Sequence, residues 1–241
     1  MKTYPVERIR NVAVVGHGGV GKTSLVEALL FCAGATERMG RVDDGTATTD
    51  FDPEEVRRKI TINAATAPLE WRDHKVNLID TPGYPDFVGE AYAALRVADA
   101  ALFVVDALSG VQVQTEKLWK VADQHGLPRL VVVNRLDREN AQFARAVESL
   151  QARFGAHVVP LQVPLGSETA LRGVVDLVSM RAFTYEGGRA REAELPEDAR
   201  DEALSWREKL LEQAAESDDA LLEKYLEPVS YTHLTLPTNR E

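Results

Sequence analysis

The sequence predicts an α/β fold: a mainly parallel sheet flanked by helices. Three observations carry this expectation. First, short runs rich in Val, Ile and Leu recur through the first 160 or so residues, at Asn11–Gly16, Ala67–Trp71, Lys75–Asp80, Ala101–Asp106 and Leu130–Asn134. Such runs suit strands covered on both faces. Second, helical patterns lie between most of them, at Lys22–Cys32, Phe87–Val97, Gln114–His125 and Glu139–Phe154. Third, the first strand joins the first helix through a glycine-rich segment, Gly16-His17-Gly18-Gly19-Val20-Gly21-Lys22-Thr23. Strand, glycine-rich loop and helix in that order make a phosphate-binding loop. Its glycines let backbone N–H groups turn inward around an anion. The helix N-terminus adds partial positive charge. Lys22 can reach terminal phosphates, and the Thr23 hydroxyl can ligate Mg²⁺.

The connection at residues 34–64 is too long for a simple crossover and carries Gly, Thr and charge with little apolar spacing. Long loops in compact domains are usually functional, and this one reads as a switch that orders around a ligand. Within it, Arg57-Arg58-Lys59-Ile60-Thr61-Ile62 offers Thr61, whose hydroxyl can meet the metal and whose amide can meet a terminal phosphate. The alternative is a basic turn leading into a strand.

After Phe154 the texture changes. His157–Pro164 and Gly173–Tyr185 predict two strands, and Asp198–Leu226 predicts an acidic helix with Leu204, Leu211, Leu222 and Leu226 near helical spacing. We divide the chain into residues 1–157, a nucleotide-binding domain, 158–228, part of an inserted subdomain, and 229–241, a tail that reads as non-native sequence. The alternative for the tail is a genuine disordered terminus.

Composition narrows the function classes. The chain has 241 residues and a formal charge of −10. Residues 192–227 hold 13 acidic and 4 basic side chains, a net of −9, so nearly all the imbalance sits there. Direct binding to bare nucleic acid through a broad basic face is therefore not expected. No apolar run approaches the roughly 20 residues of a membrane span. The single cysteine, Cys32, excludes an internal disulfide and is expected as a buried thiol. These features fit a cytoplasmic protein.

Two further motifs carry chemistry. Asp80-Thr81-Pro82-Gly83-Tyr84 follows the third apolar run. An acidic residue at that strand end can hold a magnesium-bound water, and Gly83 can offer its amide to a terminal phosphate. Read alone, Asp-Thr-Pro-Gly is an ordinary turn. Asn134-Arg135-Leu136-Asp137 follows the fifth run. The Asp137 carboxylate can accept from N1–H and the exocyclic amine of guanine. Adenine would leave that carboxylate unpaired, on the order of a thousandfold in affinity. Asn134 can brace the loop near Gly16. The plainer alternative is a solvated Asp at a strand end.

Together these motifs resemble the guanine-nucleotide-binding domain of translational GTPases. Within that group the chain is similar to elongation factor G, and to a divergent branch of elongation-factor-G-like proteins. Phe31-Cys32-Ala33-Gly34-Ala35, Pro82–Val88 and Gly173–Val178 carry the likeness beyond generic motifs, which spans roughly residues 6–227. The resemblance implies GTP or GDP as ligand, Mg²⁺ held by Thr23, Thr61 and Asp80, and ribosome-stimulated GTP hydrolysis. It implies the ribosome as partner, with the insertion facing the ribosomal stalk protein. An acidic helix would suit a basic partner, or would simply be a solvated face. The family's fifth guanine motif and closing strand lie beyond this sequence, so weak nucleotide binding is expected of the fragment.

The sequence departs from the family in four places. Tyr84 stands where the family usually has the histidine that orients the attacking water. A phenol differs from an imidazole in reach and in proton affinity. Slower or differently triggered hydrolysis is expected. Arg135 replaces the usual lysine, Gly19 and Val20 occupy positions often held by aspartate and alanine, and Lys59 stands where glycine is common. Two competing readings remain open: a ribosome-binding factor latched by GTP with slow or vestigial hydrolysis, and a P-loop ATPase or kinase.

Overall fold

The structure is a computed structural model, which describes residues 2–186 and 189–216. The chain divides into two compact units, one ending at Asn134 and one beginning at Arg135.

The first unit is built on five strands: β1 (Ile9–Gly16), β2 (Ala65–Trp71), β3 (His74–Asp80), β4 (Ala100–Asp106) and β5 (Arg129–Asn134). Their order is β2-β3-β1-β4-β5. β1 runs parallel to β3 and β4, and β5 parallel to β4. Only β2 is antiparallel, since it joins β3 as a tight hairpin through Arg72 and Asp73, both at positive φ. The sheet is thus mainly parallel, as the apolar runs predict.

Alternation along the central strands supplies two apolar faces. Val12 and Val14 of β1 and Leu102 and Val104 of β4 meet Val26 and Leu30 of helix α1 (Lys22–Cys32). Phe103 points the other way and packs at a tilt on Trp119 of α4 (Val113–Gln124), ring centroids 4.9 Å apart. Helix α3 (Val88–Val97) packs with α4 and β1. The consequence is positional: β1 lies mid-sheet, with its neighbours reached by crossovers in opposite directions. The ends of β1, β3, β4 and β5 share one edge, where ligand crevices form in such sheets.

The long connection is more ordered than its composition suggests. It contains α2 (Pro53–Arg58), started by an Asp52–Glu55 capping box with Pro53 in the first turn. Cys32 corrects an expectation: it is exposed. It is the last residue of α1, whose buried face is carried by Val26, Glu27 and Leu30.

The second unit holds α5 (Phe143–Phe154), the antiparallel strands β6 (Gln162–Leu165), β7 (Gly173–Asp176), β8 (Arg181–Glu186) and β9 (Arg189–Ala193), and α6 (Glu197–Glu216). Two strands are expected, and four are present among the described residues. The Gly173–Tyr185 run is a hairpin, folded where the Asp176 carboxylate accepts from Ser179 N and Oγ and Met180 takes φ 55°. Val163, Leu165, Val175, Leu177 and Ala182 pack against Ala203 and Leu210 of α6. α5 begins later than the expected Glu139, because Asn140 at φ 64° interrupts the helical path. Leu222, Leu226 and the 229–241 tail lie outside the described residues.

Candidate functional site

The site is assembled at the ends of β1, β3 and β5 in the first unit. β1 ends at Gly16, and the chain turns through His17–Val20 into α1. Gly21 caps that helix at φ 93°, ψ 31°, where a side chain would be strained. A Cβ there would also lie 2.5 Å from Asn134 Nδ2. That amide donates to the Val20 carbonyl at 2.9 Å, so the end of β5 braces the loop.

Lys22 is buried, and its ammonium donates to the carbonyls of His17 at 2.9 Å and Gly16 at 3.2 Å. Burial pulls its pKa down to about 8, with Asp80 and Asp50 acting in the opposite direction. Burial also lowers His17, and the nearby Lys22 charge adds to that effect.

The Asp80–Tyr84 segment lies against this loop. β1 and β3 are in register at Val14 and Asp80, and the Thr81 hydroxyl donates to the Val14 carbonyl at 2.7 Å. Thr81 is fully buried and its hydroxyl is thereby used within the fold. Pro82 and Gly83 are buried too. At Gly83 an added Cβ would run into the Lys22 ammonium and would stand 2.5 Å from the His17 carbonyl and 2.6 Å from the Gly18 amide. Only glycine permits this approach. Tyr84 is 41% exposed with its ring over Gly18, and Gly19 is exposed at the loop tip.

The structure brings Thr23 and Thr61 together, with their hydroxyls 3.0 Å apart. Two neighbours were not anticipated. The Thr61 hydroxyl donates to Asp50 Oδ1 at 2.8 Å, and the Thr49 hydroxyl donates to Asp80 Oδ2 at 2.7 Å. Burial raises both carboxylates, Asp80 to about 6; hydroxyls of Thr49 and Thr23 and the Lys22 charge partly counter this for Asp80. Asp80 Oδ1 and Asp50 Oδ2 are buried without a hydrogen-bond partner, a costly state for carboxylate oxygens. Oxygen donors with unsatisfied buried carboxylates fit a hard divalent cation such as Mg²⁺.

Two buried glutamates shape the loop that carries Thr49, Asp50 and Thr61. Glu27 of α1 accepts from the amides of Gly40 at 2.9 Å and Thr48 at 2.5 Å. Glu55 accepts from Ile62 and Asn63 at 3.0 and 2.9 Å and from Asp52 at 3.2 Å. Sequence reasoning missed Thr49, Asp50, Glu27 and Glu55, since polar side chains outside a regular apolar pattern carry no burial signal.

Arg135, Leu136 and Asp137 begin the second unit. Arg135 takes φ 64°, the Leu136 carbonyl accepts from the Glu168 amide at 3.0 Å, and Asp137 is exposed in a turn. Among the described residues, no helix is long and apolar enough to cross a membrane.

A phosphate-binding loop at the switch point of a mainly parallel sheet, with a buried lysine and a cluster of buried hydroxyl and carboxylate oxygens beside it, defines a P-loop nucleotide-binding domain. The sequence matches the family described as Elongation factor Tu GTP binding domain over residues 7–232, and the chain belongs to that family. It is thus a GTPase domain of the translation-factor class. A crystal structure of a protein from Thermus thermophilus is similar at a TM-score of 0.88 and 46% identity, covering 95% of this chain and 34% of that one. The chain therefore spans about a third of that protein's length.

Proposed function

We propose that this chain is the nucleotide domain of a ribosome-associated elongation factor of the elongation factor G type, which binds and hydrolyses GTP during translocation. The observation that carries the reading is the convergence of Thr23, Thr61 and Asp80 beside Lys22, under a glycine-only approach of Gly83 to the phosphate loop.

In this reading the loop amides from Gly16 to Thr23 and the Lys22 ammonium hold the β- and γ-phosphates. Thr23 and Thr61 supply oxygen ligands to Mg²⁺, and Asp80 holds it through water. When bound, the cation neutralises charge on the phosphates. The Gly83 amide meets the γ-phosphate, and Thr61 reports its presence by joining the loop to the site. Tyr84 stands at the end where the attacking water is oriented. Asn134 braces the loop, and Asp137, next to Arg135 and Leu136 in the chain, is the carboxylate whose chemistry suits the donor pair of guanine. Residues 158–228 belong to an insertion whose acidic helix faces a basic stalk partner, and the factor works in the cytoplasm.

Tyr84 favours a second reading, in which GTP latches the factor onto ribosomes for recycling or regulation and hydrolysis is slow. Single-turnover GTP cleavage with ribosomes, comparing the complete protein with Tyr84→His, separates the two. Faster cleavage by the variant supports the latch; equal rates remove it. Binding of GDP and ADP is the companion measurement, and equal affinities would sink the guanine assignment.

A further inference from the structure

Gly18 is a glycine for which the backbone gives no reason. Gly16, Gly19 and Gly21 of the same loop all take positive φ, and Gly18 does not. What surrounds it is a ring. A Cβ on Gly18 would stand 3.1 Å from Cε1 and Cζ of Tyr84 and 3.2 Å from Cδ1, along one edge of the phenol. These separations are tighter than ordinary carbon–carbon contact, which is optimal at about 3.5–4.0 Å.

Tyr84 has little freedom to retreat as a unit. A Cβ on its neighbour Gly83 would stand 2.5 Å from the His17 carbonyl and 2.6 Å from the Gly18 amide, so the backbone that carries the ring lies close against the same loop. On its other side Tyr84 precedes the 3₁₀ turn Pro85–Phe87, where its carbonyl accepts from the Phe87 amide at 3.1 Å. Rotation about the side-chain bonds is the remaining escape, and it leads outward, because the ring is already 41% exposed.

We infer that Gly18 and Tyr84 form a matched pair, in which the missing side chain at residue 18 makes the seat that holds the tyrosine ring on the phosphate loop. Gly18 is then a positioning residue, and a branched side chain there turns the phenol out to solvent. This rests on the reading of Tyr84 as the residue at the γ-phosphate end. It adds that the Tyr84 departure is not isolated: the phosphate loop is shaped for it.

A double-mutant cycle on the full chain tests the pair, using Gly18→Val, Tyr84→Ala and the combination, with Gly18→Ala as a milder probe. Two readouts are taken: the thermal midpoint, and the affinity for a fluorescent non-hydrolysable GTP analogue. With Tyr84 present, Gly18→Val is expected to lower the midpoint by about 3 °C or more and to weaken binding about tenfold. In the Tyr84→Ala background the same change should cost less than about threefold in affinity and leave the midpoint almost unmoved. Gly18→Ala should show the same dependence on Tyr84 at smaller amplitude. Equal penalties in both backgrounds, in both readouts, overturn the pair. If the unaltered chain binds GDP no better than ADP, the functional reading fails, while the midpoint cycle still decides the pair.

Discussion

The hydroxyls of Thr23 and Thr61 lie 3.0 Å apart although 38 positions separate them in the chain. One lies in the first turn of α1, and the other near the end of the long loop that leaves that helix. Removing the Thr61 hydroxyl should therefore act on metal dependence rather than on nucleotide contact. We expect Thr61→Ala to raise the Mg²⁺ concentration for half-maximal GTP binding on the order of tenfold. Affinity in the presence of a chelator should be unchanged. A Mg²⁺ titration of fluorescent GTP binding checks this.

Glu55 is buried and accepts three backbone amides, from Asp52, Ile62 and Asn63. Glu55→Ala leaves these donors unpaired and should cost about 1–3 kcal/mol. Urea unfolding measures it. Faster trypsin cleavage at Arg57, Arg58 and Lys59 should accompany the loss, because the helix they close depends on that capping box.

Lys59 ends α2 in the left-handed region, at φ 58° and ψ 39°. That conformation is strained for a residue with a Cβ, by about 1–2 kcal/mol. The glycine common in the family at this position has a physical reason. Lys59→Gly should stabilise the domain by about 1 kcal/mol, offset in part by the entropy of the unfolded chain. A fall in the unfolding midpoint would contradict this.

A Cβ built on Gly83 would run into Lys22 Nζ, the His17 carbonyl and the Gly18 amide. Gly83→Ala should push the Asp80–Tyr84 segment off the loop, costing about 1–3 kcal/mol of overpacking. If the Gly83 amide meets the γ-phosphate, as proposed, triphosphate binding should suffer more than diphosphate binding. Parallel GTP-analogue and GDP titrations distinguish the two losses.

His17 is held below the usual imidazole value of 6.5 by burial and by the Lys22 charge. Its folded form therefore binds fewer protons than its unfolded form. Its contribution to stability is present above pH 6.5 and is lost as pH falls through the lower folded value. Thermal midpoints measured from pH 7.5 to 5 should fall less steeply for His17→Asn than for the unaltered chain.

Much of this was readable along the chain. The five central strands and α1 were legible because burial on both sheet faces forces continuous apolar runs, and a glycine-rich loop has few other uses between strand and helix. The phosphate loop, Asp80–Tyr84, Thr61 and Asn134 were legible for the same reason: each sits at a strand end or in a motif with a fixed offset. The short strands β6–β9 were not, since four to six residues give too little periodicity to separate one strand from a hairpin. Cys32 was misjudged because a helix pattern indicates a buried stripe but not which residue of the final turn falls outside it.

Residue type and spacing were enough to settle that this chain builds a phosphate-binding α/β domain, for local chemistry dictates glycine, lysine and threonine at those offsets. Three-dimensional packing alone revealed that Thr49 and Asp50 join Thr61 and Asp80 in one buried cluster, that Glu27 and Glu55 hold the loop there, and that Gly18 yields its space to Tyr84. The contacts of Thr49, Asp50, Glu27 and Glu55 depend on a long connection folding back over α1, and that of Gly18 on two loops meeting at neighbouring strand ends; no repeating pattern in the sequence encodes either.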